Sequence, residues 1–107
     1  MVLVDFGSPV GSQAGFLRPA VVIVSDAFLR YRPTTIMVMP LTSTVRTFPS
    51  HITIEPDRAN GLEALSCALV EQLRAVAVER CSAPVGTVGP VIGHQILDVL
   101  AMIIGMP

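Results

Sequence analysis

The sequence predicts a small, mainly β domain that ends in an α-helix. Three observations lead there. Short β-branched runs recur along the first half of the chain, separated by stretches rich in Gly, Ser and Pro. One strongly amphipathic helical pattern stands out, and it lies at the C-terminal end. The 107 residues, 51% hydrophobic and only 14% charged, suit one core and one domain over 1–107, and exclude a disordered chain.

Taken in order, Val2 to Phe6 reads as a short strand, and GSPVGSQAGFL over 7–17 as a loop. Arg18-Pro19 then opens AVVIVS, a continuous β-branched run of the kind buried on both faces. Asp26 to Arg32 is a polar excursion, and TTIMVMPL over 34–41 is a third strand. Pro40 cannot donate a ladder hydrogen bond, so an edge, bulge or strand exit is expected there. TSTVRTFPS over 42–50 is a second polar loop. His51 to Glu55 alternates, with Ile52 and Ile54 on one face, and residues 56–61 turn the chain.

The next stretch is ambiguous. Leu62, Leu65, Leu69, Val70, Leu73 and Val76 have helical spacing, so propensity alone predicts a helix over 62–80. PVGTVG over 84–89 suits a short last strand. In the final helix Ile92, Ile96, Val99, Leu100 and Ile103 form one stripe, with His94, Gln95 and Asp98 roughly opposite. Pro90 fits its first turn and Gly105 its terminal cap.

Seven basic residues, all arginine, stand against eight acidic ones, giving a net charge of −1 and no basic nucleic-acid tail. Cys67 and Cys81 make neither a disulfide framework nor a zinc site and read as reduced thiols in or near the core. The longest apolar tract, Ile96 to Met106, is too short for a bilayer and carries Asp98. A soluble, cytoplasmic protein with no membrane association is expected. No His/Asp/Glu cluster suggests a metal, and no cofactor is expected.

Read together, VDFGSPVGSQAGFLRPAVVIVSDA at 4–27, MPLTST at 39–44, FPSHITIE at 48–55 and GLEALSCALVEQLRAVAVER at 61–80 resemble the MazF/PemK family of toxin endoribonucleases. The first block is the specific one, an acidic-aromatic strand end, a Gly-Ser loop and Arg-Pro leading into a hydrophobic strand. The resemblance covers nearly the whole chain. It implies a small, twisted SH3-like barrel with a C-terminal helix, and a homodimer. It also implies that Gln72, Leu73 and Arg74 belong to a strand running into a short helical turn, against the helix that propensity favours over 62–80.

Relatives of this kind cleave single-stranded RNA without a metal. The 2′-hydroxyl attacks the adjacent phosphorus, leaving a 2′,3′-cyclic phosphate and a 5′-hydroxyl. Such chemistry needs a deprotonated 2′-OH, a stabilised phosphorane and a protonated leaving oxygen. The resemblance assigns the catalytic pair to Arg18 and Thr42. A guanidinium has five donors in a rigid fork that matches phosphate oxygens, and a pKa too high for easy proton donation. Arg18 is therefore assigned mainly to charge stabilisation of the phosphorane, with proton transfer to the leaving group left open as a second role, and Thr42 to orienting the phosphate or the 2′-OH. Ser43 and Thr44 either add phosphate contacts or satisfy a local turn.

Candidate RNA contacts are Gln13, Phe16, Arg46, Phe48, Gln72 and Arg74, with Arg30 and Arg32 as further arginines. Phe16 or Phe48 could stack a base. Many relatives carry Gly-Ser-Glu where this chain has Gly11, Ser12 and Gln13, and an amide cannot accept the proton as a carboxylate does. The general base is left unassigned. His51 and His94 read as surface histidines. The Arg-Gly-Asp-type lead usual in relatives has no counterpart before Val2. The implied partner is a small MazE-like antitoxin that lies across the dimer groove. Two other readings share the fold, a CcdB-like gyrase poison and a degenerate toxin that only binds its antitoxin.

Overall fold

A computed structural model describes residues 1–106. The elements in chain order are β1 (Val2–Asp5), β2 (Leu17–Val22), α1 (Asp26–Leu29), β3 (Thr35–Thr42), β4 (His51–Ile54), β5 (Ser66–Leu69), β6 (Arg74–Ala77), β7 (Cys81–Pro84) and α2 (Gly89–Ile104). Single 3-10 turns at Val70–Gln72 and Val78–Arg80 join β5 to β6 and β6 to β7. All ladders are antiparallel, in the order β4-β5-β3-β2-β1-β7, with β6 also on β3. No ladder among the described residues joins β4 to β7, so the sheet is an open version of the expected barrel.

The eight-residue β3 is the spine of the sheet. Along one edge it pairs with β2 (Ala20↔Pro40, Val21↔Met39, Val22↔Val38). On the other it meets β6 through Thr35 to Val38, then β5 through Leu41 and Thr42. Pro40 falls between those two ladders. The strand does not exit there, as one reading of the proline allowed. It changes partner, at the position where a missing N–H costs least.

Of the β-branched run only Ala20 and Val21 are buried, on opposite faces of β2; Val22 is half-buried, and Ile23 and Val24 lie half-buried beyond the strand. Val21, Met39 and Leu41 pack with Ile52, Ile54, Ala68, Val70 and Ile96 of α2, while Ala20 packs on the other side with Val4, Phe6, Ile36, Val38 and Val76. Helix α2 begins with its proline in the first turn and ends at Gly105, whose φ of 75° is the left-handed cap. Ile96 is its one buried residue; Ile92, Val99 and Leu100 are half-buried, and Ile103 is exposed.

Two expectations need correction, and the conflict over 62–80 is decided. There the helix that propensity favours is absent, and strand and turn stand in its place as the resemblance implied. Residues 66–69 form β5 with all four buried, so apolar residues cover both faces and tertiary context overrides the leucine spacing. The last strand is Cys81–Pro84 rather than 84–89. It pairs with β1 (Val4↔Cys81, Val2↔Pro84), after which Gly86 runs backbone to backbone against Ala59 and Asn60 instead of joining a ladder. The excursion after β2 contains a short helix capped by Ser25, whose Oγ accepts from the Phe28 N–H at 3.1 Å.

Candidate active site

Two loops meet where β2 begins and β3 ends. The 7–16 loop is closed at its base, where the Phe6 N–H donates to the Phe16 carbonyl at 2.9 Å and the Phe16 N–H to the Gly7 carbonyl. Arg18 follows one residue into β2. Thr42 is the last residue of β3. Continuing the β2–β3 register two residues past Ala20↔Pro40 brings Arg18 opposite Thr42, on one face of the sheet.

Arg18 is half-buried and braced. Its Nε donates to the Gly15 carbonyl at 2.9 Å and its Nη1 to the Leu41 carbonyl at 3.3 Å. These two bonds use two of five guanidinium donors, so the head is fixed while three N–H groups have no partner among the described residues. Thr42 accepts the Thr44 N–H on Oγ1 at 3.1 Å, a local turn bond that leaves its own O–H free to donate. Arg18, Thr42, Ser43 and Thr44 line one cavity of about 720 Å³, with Gly61 to Ala64, Ser66, Leu3, Leu17, Pro84 and Val85 among the other walls.

Gln13, Phe48, Gln72 and Arg74 gather elsewhere, around a second cavity of about 480 Å³. Gln72 and Arg74 are anchors of the 7–16 loop. The Gln72 Oε1 accepts the Ala14 N–H at 2.7 Å, its Nε2 donates to the Ser12 carbonyl at 3.1 Å, and Arg74 Nη2 donates to the Ala14 carbonyl at 3.0 Å. The Arg74 guanidinium also lies 4.4 Å over the Phe6 ring. Burial, then the charges of Arg80 and Arg18, push its pKa below the usual arginine range.

Phe16 and Phe48 are 64% and 57% exposed, so neither plugs the end of the sheet. Phe16 holds a left-handed φ of 62°, a conformation that bulky side chains seldom adopt. Arg46 is exposed on the 43–50 loop and lines neither cavity. Arg30 and Arg32 lie beyond Val22, the far end of β2, which is itself roughly 13 Å along the strand from Arg18, and neither lines the Arg18 cavity.

His51 is not a free surface residue. Its Nε2 lies 2.9 Å from Glu71 Oε1, Ser50 Oγ donates to the other carboxylate oxygen at 2.8 Å, and Nδ1 is buried without a partner. His94 is exposed on α2, as expected.

Two residues escaped the sequence reading. Arg80 donates to the Asp5 carbonyl at 3.1 Å and adds a third guanidinium near Arg18 and Arg74. Glu63 is on the wall of the Arg18 cavity. Both sit in the stretch where leucine spacing masked the loops. Among the described residues no three His, Cys, Asp or Glu side chains gather into a metal-ligating group.

Residues 1–104 match the model of the PemK-like, MazF-like toxin of type II toxin-antitoxin systems. The chain is 36% identical to Endoribonuclease EndoA of Bacillus subtilis over 71% of its own length and 66% of that protein, just under two thirds. It is 33% identical to Endoribonuclease MazF9 of Mycobacterium tuberculosis over 79% of its own length and 75% of that protein. The fold superposes on a MazF of Deinococcus radiodurans with a TM-score of 0.82 at 20% identity, covering 98% and 92% of the two chains. It also superposes on a mycobacterial endoribonuclease solved with its cognate antitoxin, with a TM-score of 0.75 at 18% identity, covering 99% and 93%. With the family model spanning almost the entire sequence, this chain belongs to the PemK-like, MazF-like toxins of type II toxin-antitoxin systems.

Proposed function

We propose that the chain is a toxin endoribonuclease that cleaves single-stranded RNA by 2′-hydroxyl attack, without a metal. One observation supports this above the rest. Arg18 and Thr42, from different strands, face each other at one cavity, each braced by backbone and each with hydrogen-bond donors to spare. Rigid donors aimed at a phosphate stabilise the phosphorane without having to reorganise. Arg18 takes two non-bridging oxygens through its fork, and the Thr42 hydroxyl orients the phosphate or the 2′-OH. Ser43 and Thr44 add contacts along the backbone. Phe16 and Phe48, both exposed, offer stacking faces for unpaired bases.

In this reading Gln72 and Arg74 act by shaping the loop that carries Gln13 and Phe16, and Arg46 contributes a peripheral phosphate contact. The protein works in the cytoplasm as a homodimer, on RNA, and a small antitoxin covers its groove. The endoribonuclease names of both relatives and the antitoxin in one similar structure support these assignments. No helix of the described residues is long and apolar enough to cross a membrane.

Incubating the purified protein with a long unstructured RNA in EDTA, followed by end analysis, tests the proposal. Cleavage in chelator giving 5′-hydroxyl and 2′,3′-cyclic phosphate ends, lost in Arg18→Ala, is the expected result. Absence of cleavage with inhibition of gyrase would favour a gyrase poison instead. Antitoxin binding with neither activity would favour a degenerate scaffold.

A further inference from the structure

The reaction proposed above needs an acceptor for the 2′-OH proton, and Gln13 is an amide that lines the other cavity. The Arg18 cavity has one carboxylate on its wall, that of Glu63. We propose that Glu63 is the general base; the proposal rests on the ribonuclease reading and deepens it.

Four features of the molecule support this. The first is rigidity. Glu63 follows a turn pinned by Asn60, which is 1% exposed and uses its whole side chain: Oδ1 accepts the Asp57 and Leu62 N–H groups at 3.0 and 2.9 Å, and Nδ2 donates to the Glu55 carbonyl at 2.8 Å. Gly61, at φ +65°, passes so close to the 85–87 segment that a Cβ there would lie 2.3 Å from the Val85 carbonyl oxygen. Gly86 is as tightly placed against Ala59 and Asn60, where a Cβ would stand 2.4 Å from the Ala59 carbonyl oxygen. Such a turn holds the Glu63 backbone at the cavity wall, and the unpartnered side chain is left free to turn toward the O2′ of a bound ribose.

The second is availability. Glu71 is held by Ser50 and His51, Asp5 accepts the Gly7 N–H, and Asp57 accepts the Asn60 N–H. Glu63, like Asp26, Glu55, Glu79 and Asp98, has no side-chain hydrogen-bond or ion-pair partner among the described residues, and of these five it is the one that lines the Arg18 cavity, where it is exposed. The third is elimination of the histidines. His51 is bonded to Glu71 away from the Arg18 cavity, and His94 is on α2. The fourth is charge. Arg18 attracts the phosphodiester and Glu63 repels it, so within one cavity the opposite signs direct the phosphate to one group and the ribose edge to the other.

In the step, the O2′ proton passes to the Glu63 carboxylate as the O2′–P bond forms and the P–O5′ bond breaks. The departing O5′ takes a proton from water, and Glu63 gives its proton to the hydroxide left behind, so no water is consumed.

The test uses Glu63→Gln, which keeps the shape and removes the charge. The probe is a short RNA carrying the mapped cleavage site, with its 2′-deoxy analogue for binding. Expected are a ~10²–10⁴-fold fall in kcat, binding of the analogue unchanged or tighter, and loss of the decline in kcat that acidification causes in the wild type. Glu63→Ala should regain activity with added formate. If Glu63→Gln cleaves within about threefold of wild type while Arg18→Ala does not cleave, the base is elsewhere and the ribonuclease reading stands. If the wild type shows no decline on acidification, Glu63 is equally excluded, whatever the variants do. Should the wild type cleave no RNA at all, both readings fail together.

Discussion

At the scale of single residues, some groups hold the site in shape and others would meet the substrate. Arg18 does both, since two of its donors brace the head against Gly15 and Leu41 and the others have no partner among the described residues. Arg18→Ala should cost ~10²–10³ in kcat, with folding intact by circular dichroism. Arg18→Lys should recover little of that loss, because an ammonium can neither reach both carbonyls nor present a planar fork. Thr42→Val keeps the volume and removes the hydroxyl. It should lower cleavage with little loss of stability, because the Thr44 N–H it unpairs is exposed to water. Arg18 and Thr42 were singled out in the sequence because the family resemblance maps the catalytic pair onto them, and the β2–β3 register brings the two positions opposite each other. Glu63 and the bonded state of His51 were not legible, because both depend on contacts between distant segments that no local spacing encodes.

At the scale of elements, the loops depend on side chains from other strands. Gln72 bonds both ends of its amide to the 7–16 loop across about sixty residues of sequence. Gln72→Leu removes those bonds, so hydrogen exchange at Ala14 should quicken and KM for RNA should rise more than kcat falls. Asn60→Ala leaves the Glu55 carbonyl and the Asp57 and Leu62 N–H groups without their partner, and thermal unfolding should report a loss of about 1–3 kcal/mol. The strands of the first half and the last helix could be read from β-branched runs and a 3.6-residue stripe. The 62–80 stretch could not. Its leucines and alanines satisfy helical spacing, yet β5 is buried on every side and its ladders with β3 and β4 decide the conformation. Family resemblance supplied the strand and turn there that periodicity could not, but in the reverse order at Gln72–Arg74, where the turn comes first and the strand starts at Arg74.

At the scale of the whole molecule, the chain leaves large apolar groups uncovered. Leu97, Met102 and Ile104 of α2 are more than half exposed, and Phe28 of α1 is 50% exposed. Such surface suits burial against another chain, and light scattering should give twice the mass of one chain. A crystal structure of the protein with an RNA bearing a single 2′-deoxy at the scissile nucleotide tests the central claim most directly. The account predicts that a non-bridging oxygen of that phosphate lies about 3 Å from a free Arg18 Nη and from Thr42 Oγ1. A scissile phosphate bound away from both, with the Arg18 head contacting only Gly15 and Leu41, would contradict it.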